Sequence, residues 1–377
     1  MKKKIYYWGP FIDKVATVKA IVNSAKSINK YSTKYEASII NATGEWNDIK
    51  NDYPGVNFID LNLNFYKSLP GFSFIKSRIS YLIIFFRCFF PLKKLLEKDR
   101  PEYLIIHLIV PLPLILFLLF KFNTKLCLRI SGKPKLSFIR KNLWKISSKK
   151  IKKIFCPTEE TKNHLINQKI FEKEIFVLED PIIEIKKINS LSKENLDKDF
   201  HKDQIILIGR LTKQKNFALF IEAFSLIEQK YPNLKANILG YGELQKNLEE
   251  LISIKKLEKK IFLLGFKKNV FNYLKNSRLF VLSSLWEDPG FVLIEAAATN
   301  TTIVSSNCSS GPKEFLQNGK GGFLFKNNSI IDLSNKIVDS IESTEQDLFI
   351  RKKNSKIQSK KYSTFKHAKN LEYLISL

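Results

Sequence analysis

The sequence predicts an α/β protein with two lobes, each built on a parallel, doubly wound sheet. The second half contains five short apolar runs that end at or beside Gly or Ser, at 204–209, 235–240, 261–265, 278–284 and 301–306. Between these runs lie amphipathic stretches such as 216–231 and 243–257, in which apolar residues recur every three or four positions. Strands that alternate with such helices are typical of a parallel sheet covered by helices.

The first half shows a less regular pattern of the same kind. Its predicted strands lie at 3–7, 37–41, 103–107, 126–130 and 153–156. A chain of 377 residues suits two domains, and the polar, charge-rich segment between the halves is typical of a linker. We therefore expect a first domain over 1–182, a linker over 183–204 and a second domain over 205–360.

Two segments raise the question of a membrane or metal role. The apolar stretch 104–120 is interrupted by His107, Pro111 and Pro113, which favours a strand, a turn and a core helix over a membrane span. The Asp-Lys-Asp run at 197–199 lies in the expected linker, so we interpret it as charge patterning and not as a metal site. The N-terminus lacks the apolar core of a signal peptide.

Composition limits the classes of function. The chain is 44% hydrophobic and 26% charged, as expected of a globular protein, but its net charge is +27. Only eight of the 63 basic residues are Arg, so the excess is almost wholly Lys. Such a charge favours binding to anionic membranes, nucleic acids or phosphorylated substrates. The four cysteines are widely spaced, without metal-ligand spacing, and are expected to be buried thiols in a reducing cytosol.

Residues 287–295 carry the most informative pattern, EDPGFVLIE, directly after an apolar strand. The order is strand, tight loop and helix, so Glu287 lies on the loop and Glu295 on the first turns of a helix that begins near Gly290. An exposed helix start binds anions, while paired carboxylates accept hydrogen bonds from hydroxyl groups. A ligand that carries phosphate beside sugar hydroxyls is a nucleotide sugar, so the pattern indicates a site for such a ligand. The alternative is that Glu295 is a solvated helix residue.

Other polar residues follow neighbouring strands of the same predicted sheet. Arg210 and Lys215 lie in GRLTKQKN (209–216), and their charges suit a diphosphate; the alternative is that both are solvated cations. Gly240 and Gly242, in GYGEL (240–244), allow a sharp turn or a close approach to a ligand, although an ordinary turn explains them equally well. Parallel sheets bind ligands beyond the carboxyl ends of their strands, where all these residues fall.

Taken together, the motifs resemble a known family. They are GRLTKQKN, GYGEL, LLGF (263–266), LFVLSSLWEDPGFVLIEAAA (279–298) and SSGPKEFLQNGKGGFLF (309–325), in that order. The set resembles the nucleotide-sugar-binding domain of family 4 retaining glycosyltransferases, also called glycosyl transferases group 1. The resemblance implies the GT-B fold, in which two Rossmann-like domains face a central cleft. It also implies that the first domain binds the acceptor and that helix 361–377 packs back on it.

The resemblance implies a role for each matching residue. Arg210 and Lys215 would hold the donor diphosphate, Glu295 the ribose hydroxyls, and Glu287 would act catalytically beside the transferred sugar. Backbone N–H groups of the following residues would meet phosphate or sugar: Gly290, Phe291 and Val292. Gly240 and Gly242 would form a donor loop. Such a site requires no metal or other cofactor, since cations and a helix N-terminus neutralise the phosphates.

The first half matches the family less well. His107 is similar to a family histidine at the tip of a strand, which implies a catalytic position; the alternative is a core residue. The expected Gly-Gly loop near the N-terminus is reduced to Gly9-Pro10. Residues 79–94 are apolar and then basic, and 121–153 contain twelve Lys or Arg with no acidic residue, which suits contact with anionic lipid.

The sequence therefore predicts a retaining glycosyltransferase that moves a sugar from a nucleotide-sugar donor, with UDP the expected nucleotide, to a glycan or lipid-linked saccharide. We expect a role in surface polysaccharide or lipopolysaccharide biosynthesis, in the cytoplasm or at the inner face of the cell membrane. The alternatives are a sugar-nucleotide epimerase, which would need more cleft carboxylates and histidines, a basic nucleic-acid-binding protein, which would need a recognisable binding motif, and a catalytically silent module.

Overall fold

The structure is a computed structural model that describes residues 2–12, 16–70, 74–134 and 136–377. The chain divides into two compact units. The first comprises residues 1–181 together with 364–377, and the second comprises residues 182–363. The chain therefore passes from the first unit into the second at residue 182 and returns to the first unit at residue 364.

Strands and helices alternate along both units. The described strands are β1 Lys3–Trp8, β2 Tyr35–Asn41, β3 Asn57–Asp60, β4 Tyr103–Ile106, β5 Lys125–Arg129, β6 Ile151–Cys156, β7 Ile175–Val177, β8 Ile205–Ile208, β9 Ala236–Leu239, β10 Ile261–Leu263, β11 Leu279–Leu282, β12 Thr302–Ser306 and β13 Phe323–Phe325. The described helices are α1 Ala16–Tyr31, α2 Phe74–Asp99, α3 Pro111–Leu119, α4 Phe138–Ser147, α5 Glu159–Asn167, α6 Ile185–Leu191, α7 Phe217–Ser225, α8 Gln245–Ile254, α9 Phe271–Lys275, α10 Phe291–Ala298, α11 Pro312–Phe315, α12 Ile330–Glu342, α13 Glu345–Ser359 and α14 Thr364–Ser376.

The first unit is a parallel sheet with helices on both faces. Within the described ranges its seven strands lie in the order β3-β2-β1-β4-β5-β6-β7, and every pair is parallel. Along β1, Tyr6 and Trp8 pack into one hydrophobic cluster and Ile5 and Tyr7 into the other, because successive side chains point to opposite faces. Helices α2, α3, α4 and α5 cover one face, and α1 and α14 cover the other.

The second unit repeats this architecture. Its six strands, counted over the described residues, are parallel in the order β10-β9-β8-β11-β12-β13. Helices α7, α8 and α12 pack on one face, and α6, α9, α10 and α11 pack on the other. In each sheet the strand order reverses beside the first strand of the unit, at β1/β4 and at β8/β11. These are the switch points at which open parallel sheets bind ligands.

Most predicted elements appear where the sequence places them. The segment 104–120 forms the end of β4 and then α3, which begins at a proline as helices often do. All four cysteines are buried free thiols. Within the ranges that the structure covers, no helix is both long enough and apolar enough to cross a bilayer.

The segment 183–204 differs from the linker that we expected. It lies in the second unit, forms α6, and contributes Ile188 and Phe200 to the core beside α9 and α10. Its few apolar residues are separated by long polar stretches, so the local composition resembles that of a linker although these side chains are buried. Helix α14 lies in the first unit, where Ala368, Leu371 and Ile375 join the core.

Candidate functional site

The switch point of the second unit brings together two loops. The loop after β8 contains Arg210 and Lys215, and the loop after β11 leads through Glu287 into α10. Hydrogen bonds tie the two loops together: the amide of Leu285 donates to the carbonyl of Gln214 at 2.8 Å, and Gln214 Nε2 donates to the carbonyl of Trp286 at 2.9 Å. The two loops therefore form one structure at the carboxyl edge of the sheet.

A buried ion pair lies at this edge. Lys215 Nζ contacts Glu287 Oε1, and Ser284 Oγ donates a hydrogen bond to the same oxygen at 2.6 Å. The side chains of Lys215 and Glu287 are only 15% and 7% exposed. A charge removed from water in this way is stable only when it is paired and hydrogen-bonded. The pair therefore fixes the carboxylate of Glu287 while keeping a cation beside it.

Buried hydroxyl groups support the pair from below. Ser284 is fully buried, and its carbonyl accepts a hydrogen bond from Ser306 Oγ at 2.6 Å. Ser283 Oγ donates to the carbonyl of Lys215 at 2.8 Å, which holds the lysine backbone against β11. The sequence analysis did not identify these serines, because Ser is common at the ends of strands whether or not it has a role in a site.

The glycines of GYGEL permit a close contact between loops. A Cβ at Gly240 would lie 1.8 Å from the carbonyl oxygen of Gly209, and a Cβ at Gly242 would lie 2.4 Å from that of Leu211. The amide of Leu211 also donates to the carbonyl of Tyr241 at 3.0 Å. Both glycines are thus explained by backbone packing, and their role in binding a donor remains a prediction.

The remaining predicted residues of this unit lie on the same two loops and on α10, and they differ in burial. Gly290 precedes α10 and lies against Glu287, since a Cβ added to it would be 3.5 Å from the Cβ of Glu287. Phe291 and Val292 form the first turn of α10 and are half-buried. Glu295 is 3% exposed on the same helix, whereas the side chain of Arg210 is exposed. Glu295 is therefore not the solvated helix residue of the alternative interpretation.

Two aromatic side chains stand exposed near the ends of the neighbouring strands. Tyr241 follows β9 and Phe266 follows β10, and their rings meet edge to face with centroids 5.9 Å apart. Exposed aromatic rings offer flat surfaces on which a planar ligand group can stack. Both rings lie in motifs that resemble the family, GYGEL and LLGF, but the resemblance implies no role for either ring.

His107 lies in the first unit, directly after β4, and is buried. Its amide donates to the carbonyl of Trp8 at 2.8 Å, and its ring packs against Tyr7 with centroids 5.7 Å apart. Burial, together with the nearby charge of Arg129, holds the pKa of His107 well below its usual value. In the described structure neither ring nitrogen has a hydrogen-bond partner. The ring is therefore neutral at ordinary pH.

A buried polar cluster surrounds His107. Arg129 pairs with Asp180 at 2.7 Å, and a cavity of about 10 Å³, large enough for about one water molecule, lies among these residues. His367 of α14 contacts the carbonyl of Glu179 at 2.6 Å through Nδ1 and the hydroxyl of Ser24 at 2.7 Å through Nε2. Burial lowers the pKa of His367 to about 4, so Nδ1 donates and Nε2 accepts.

In the portion of the chain that is described, no group of three or more His, Cys, Asp and Glu side chains has an arrangement that could hold a metal ion. Positive charge at the switch point comes from Lys215, Arg210 and the N-terminus of α10.

Comparison with known proteins identifies the family. Residues 189–375 match the family described as glycosyl transferases group 1. The chain belongs to this family. The structure also matches HepE from Anabaena, crystallised with UDP, over 100% of both chains with a TM-score of 0.75 and 15% sequence identity. This likeness establishes the GT-B fold, so the predictions of family and fold are both confirmed.

Two curated glycosyltransferases match parts of the chain. An uncharacterized glycosyltransferase of Methanocaldococcus jannaschii is 44% identical over 140 residues, which cover 36% of this chain and 34% of the relative. An N-acetylgalactosaminyltransferase of Campylobacter jejuni, which its name describes as acting on a diphospho-undecaprenol-linked acceptor, is 32% identical over 50% of this chain and 51% of the relative. The chain therefore spans about a third to a half of the length of these relatives.

Proposed function

We propose that this protein is a retaining glycosyltransferase that transfers a sugar from a UDP-sugar to a glycan or lipid-linked saccharide. The observation that carries the proposal is the buried Lys215–Glu287 pair at the β8/β11 switch point, with a buried Glu295 on the helix that follows. Family membership supports the class of reaction. The UDP bound to HepE, which has the same fold, supports the choice of nucleotide.

The donor site follows from the chemistry of these residues. Lys215 and Arg210 would bind the diphosphate, the former as a point charge and the latter as a planar fork. The N–H groups in the first turn of α10, at Phe291 and Val292, would donate hydrogen bonds to phosphate oxygens, because a helix N-terminus is an anion site. Glu295 would accept hydrogen bonds from the ribose hydroxyls.

Lys215 and Glu287 would separate from each other and bind different parts of the donor. The diphosphate carries more negative charge than one carboxylate, so it would compete with Glu287 for the ammonium group of Lys215. Glu287 would remain fixed by Ser284 and would border the transferred sugar. Binding energy from the phosphate would thus free the carboxylate for the sugar hydroxyls.

In the proposed reaction, the bond between the anomeric carbon and the diphosphate oxygen breaks, and a bond to an acceptor hydroxyl oxygen forms on the same face. The proton of that hydroxyl passes to the leaving phosphate, which departs as UDP. Lys215, Arg210 and the N-terminus of α10 stabilise the charge that develops on the leaving group, so the site itself requires no metal. His107 stays in the proposal as a neutral hydrogen-bonding group, since its low pKa excludes a cationic role near neutral pH.

The acceptor proposal rests on the relatives. Two of them are named for transfer to diphospho-undecaprenol-linked sugars: the enzyme of Campylobacter jejuni, and a galactosyltransferase of Escherichia coli that is 35% identical over 135 residues. We therefore propose a lipid-linked saccharide acceptor in surface polysaccharide or lipopolysaccharide biosynthesis. Because such an acceptor lies in a membrane, the protein would act at the cytoplasmic face of the cell membrane, in peripheral contact through residues 79–94 and 121–153.

Calorimetric titration tests the donor site. UDP, GDP and their sugar conjugates would be titrated into the whole protein without divalent metal. We expect saturable binding of UDP, loss of that binding in Glu295→Ala and in Arg210→Ala, and unchanged binding in Glu250→Ala, an exposed carboxylate on α8 that serves as the matched control. Equal binding by all variants would contradict the site assignment, and absence of binding by the folded protein would contradict the donor proposal.

A further inference from the structure

Helix α2 carries an apolar stripe on its outer face. Ile75, Ile79, Leu82, Phe86 and Phe90 are all exposed, and they follow one another at intervals of four, three, four and four residues. That spacing places them on one side of a helix. The two phenylalanines are 71% and 72% exposed, so the outer face presents whole aromatic rings to solvent.

The opposite face of the same helix is already used by the core. Ile84, Cys88, Leu92 and Leu96 recur every four residues, are buried, and pack beneath the helical layer of the first unit. A helix that covers a sheet needs only one apolar face. The outer stripe therefore contributes nothing to the core that the structure shows, and a large exposed apolar patch is typical of a binding surface.

Helix α4 adds a second apolar group to the same layer. It packs with α3, as does α2, and α2, α3 and α4 cover the same face of the sheet. Its Phe138, Ile139 and Ile146 are exposed, with Phe138 at 84%, while Trp144 faces the core. The outer surface of one helical layer thus carries exposed apolar side chains on two of its helices.

The two sequence segments that carry these side chains contain charges of one sign. From Leu61 to Leu96 and again from Tyr103 to Thr158 the sequence contains no Asp or Glu, and the second span contains twelve Lys or Arg. Arg140, Lys141 and Lys145 are exposed on α4 among its apolar residues. A protein partner would have to present a uniformly acidic surface with apolar pockets, whereas an anionic bilayer offers both features everywhere on its surface.

We propose that the outer faces of α2 and α4 form an insertion surface for an anionic lipid bilayer. The phenylalanines and isoleucines enter the boundary between headgroups and acyl chains, and the cations of α4 contact the lipid phosphates. This inference deepens the membrane location in the proposed function by naming the side chains that insert. It can fail while donor binding stands, since vesicle binding is measured without any donor.

Vesicle co-sedimentation of the whole protein tests the proposal, with phosphatidylcholine vesicles that contain or lack phosphatidylglycerol. We expect binding only to the anionic vesicles, and weaker binding at high salt because ions screen surface charges. Phe86→Gln with Phe90→Gln should lower partitioning by on the order of tenfold per ring removed. Arg140→Gln, Lys141→Gln and Lys145→Gln together should lower it by about fivefold per cation at low salt.

Matched controls lie on the second unit. Ile254→Gln with Phe349→Gln removes two apolar side chains that are 74% and 65% exposed, and Lys246→Gln, Lys259→Gln and Lys353→Gln remove three exposed cations. These variants should bind like the unchanged protein. Equal losses in the two sets would overturn the proposal, because net charge and general hydrophobicity would then explain binding. Self-association in sedimentation velocity that Phe86→Gln and Phe90→Gln abolish, without vesicle binding, would assign the surface to a second copy instead.

Discussion

The buried pair of Lys215 and Glu287 should show strong energetic coupling. In Glu287→Leu the ammonium group of Lys215, whose side chain is 15% exposed, loses its partner. Removing one member of a buried pair costs roughly 3–5 kcal/mol, and the residual exposure of Lys215 places the expected loss near the lower end, at about 3 kcal/mol. Lys215→Met should be less costly, because Ser284 still donates to the remaining carboxylate.

The double variant Lys215→Met with Glu287→Leu completes the cycle. Replacing both charges by apolar side chains of similar volume leaves no unpaired charge, so its stability should return to within about 1 kcal/mol of the unchanged protein. The coupling between the two positions should then amount to at least about 2 kcal/mol, within the range of contacting residues.

The assay must separate the two units, because a chain with two domains does not unfold in one step. Hydrogen exchange across a urea series, followed in peptides of β11 and α10, reports the second unit alone, and peptides of β1 and α1 serve as the internal control. A Glu287→Leu variant that is as stable as the double variant would refute the reasoning, since it would mean that the ammonium of Lys215 needs no buried partner.

Two further predictions concern the rest of the fold. His367 has a pKa of about 4 in the folded protein, so the unfolded chain binds more protons below pH 6.5, and this group alone should cost the first unit about 3 kcal/mol between pH 7 and pH 4. In urea titrations at several pH values, His367→Gln should remove that share and leave the loss that His107, whose pKa is also lowered, contributes in the same direction. Gly240→Ala should lower the melting temperature far more than Gly55→Ala, because the added Cβ would meet the carbonyl of Gly209 at position 240 but nothing within 4 Å at position 55, although both residues have positive φ. Equal melting temperatures for the two glycine variants would show that backbone strain, and not the contact, determines the loss.

The sheet of the second unit was predictable from sequence because its strands are buried on both faces. Such strands are apolar along their whole length, and short apolar runs such as the one that forms β11 therefore mark them. Once strands and loops are located, the parallel sheet brings their carboxyl ends to one edge. This is why Lys215 and Glu287 could be assigned to one site although 72 residues separate them.

The finer contacts could not be predicted, since they join residues with no local signal. Ser284 resembles any loop serine until its distance from Glu287 is known. His367 meets the carbonyl of Glu179 across 188 residues of sequence, and nothing near either residue predicts the other. Likewise, the apolar run in α2 gives no indication that its residues divide between a buried face and an exposed one.

The return of α14 to the first unit affects the order in which the protein can complete its structure during synthesis. Domains commonly fold as the ribosome releases them, beginning with the N-terminal one. Here the core beside α1 requires Ala368, Leu371 and Ile375, and the hydroxyl of Tyr103 donates to the carbonyl of Ile375 at 2.7 Å. The whole second unit, residues 182–363, is translated before these residues. The unit whose synthesis begins first is therefore the last to be completed, and until then the apolar surface beneath α14 must be protected from other chains.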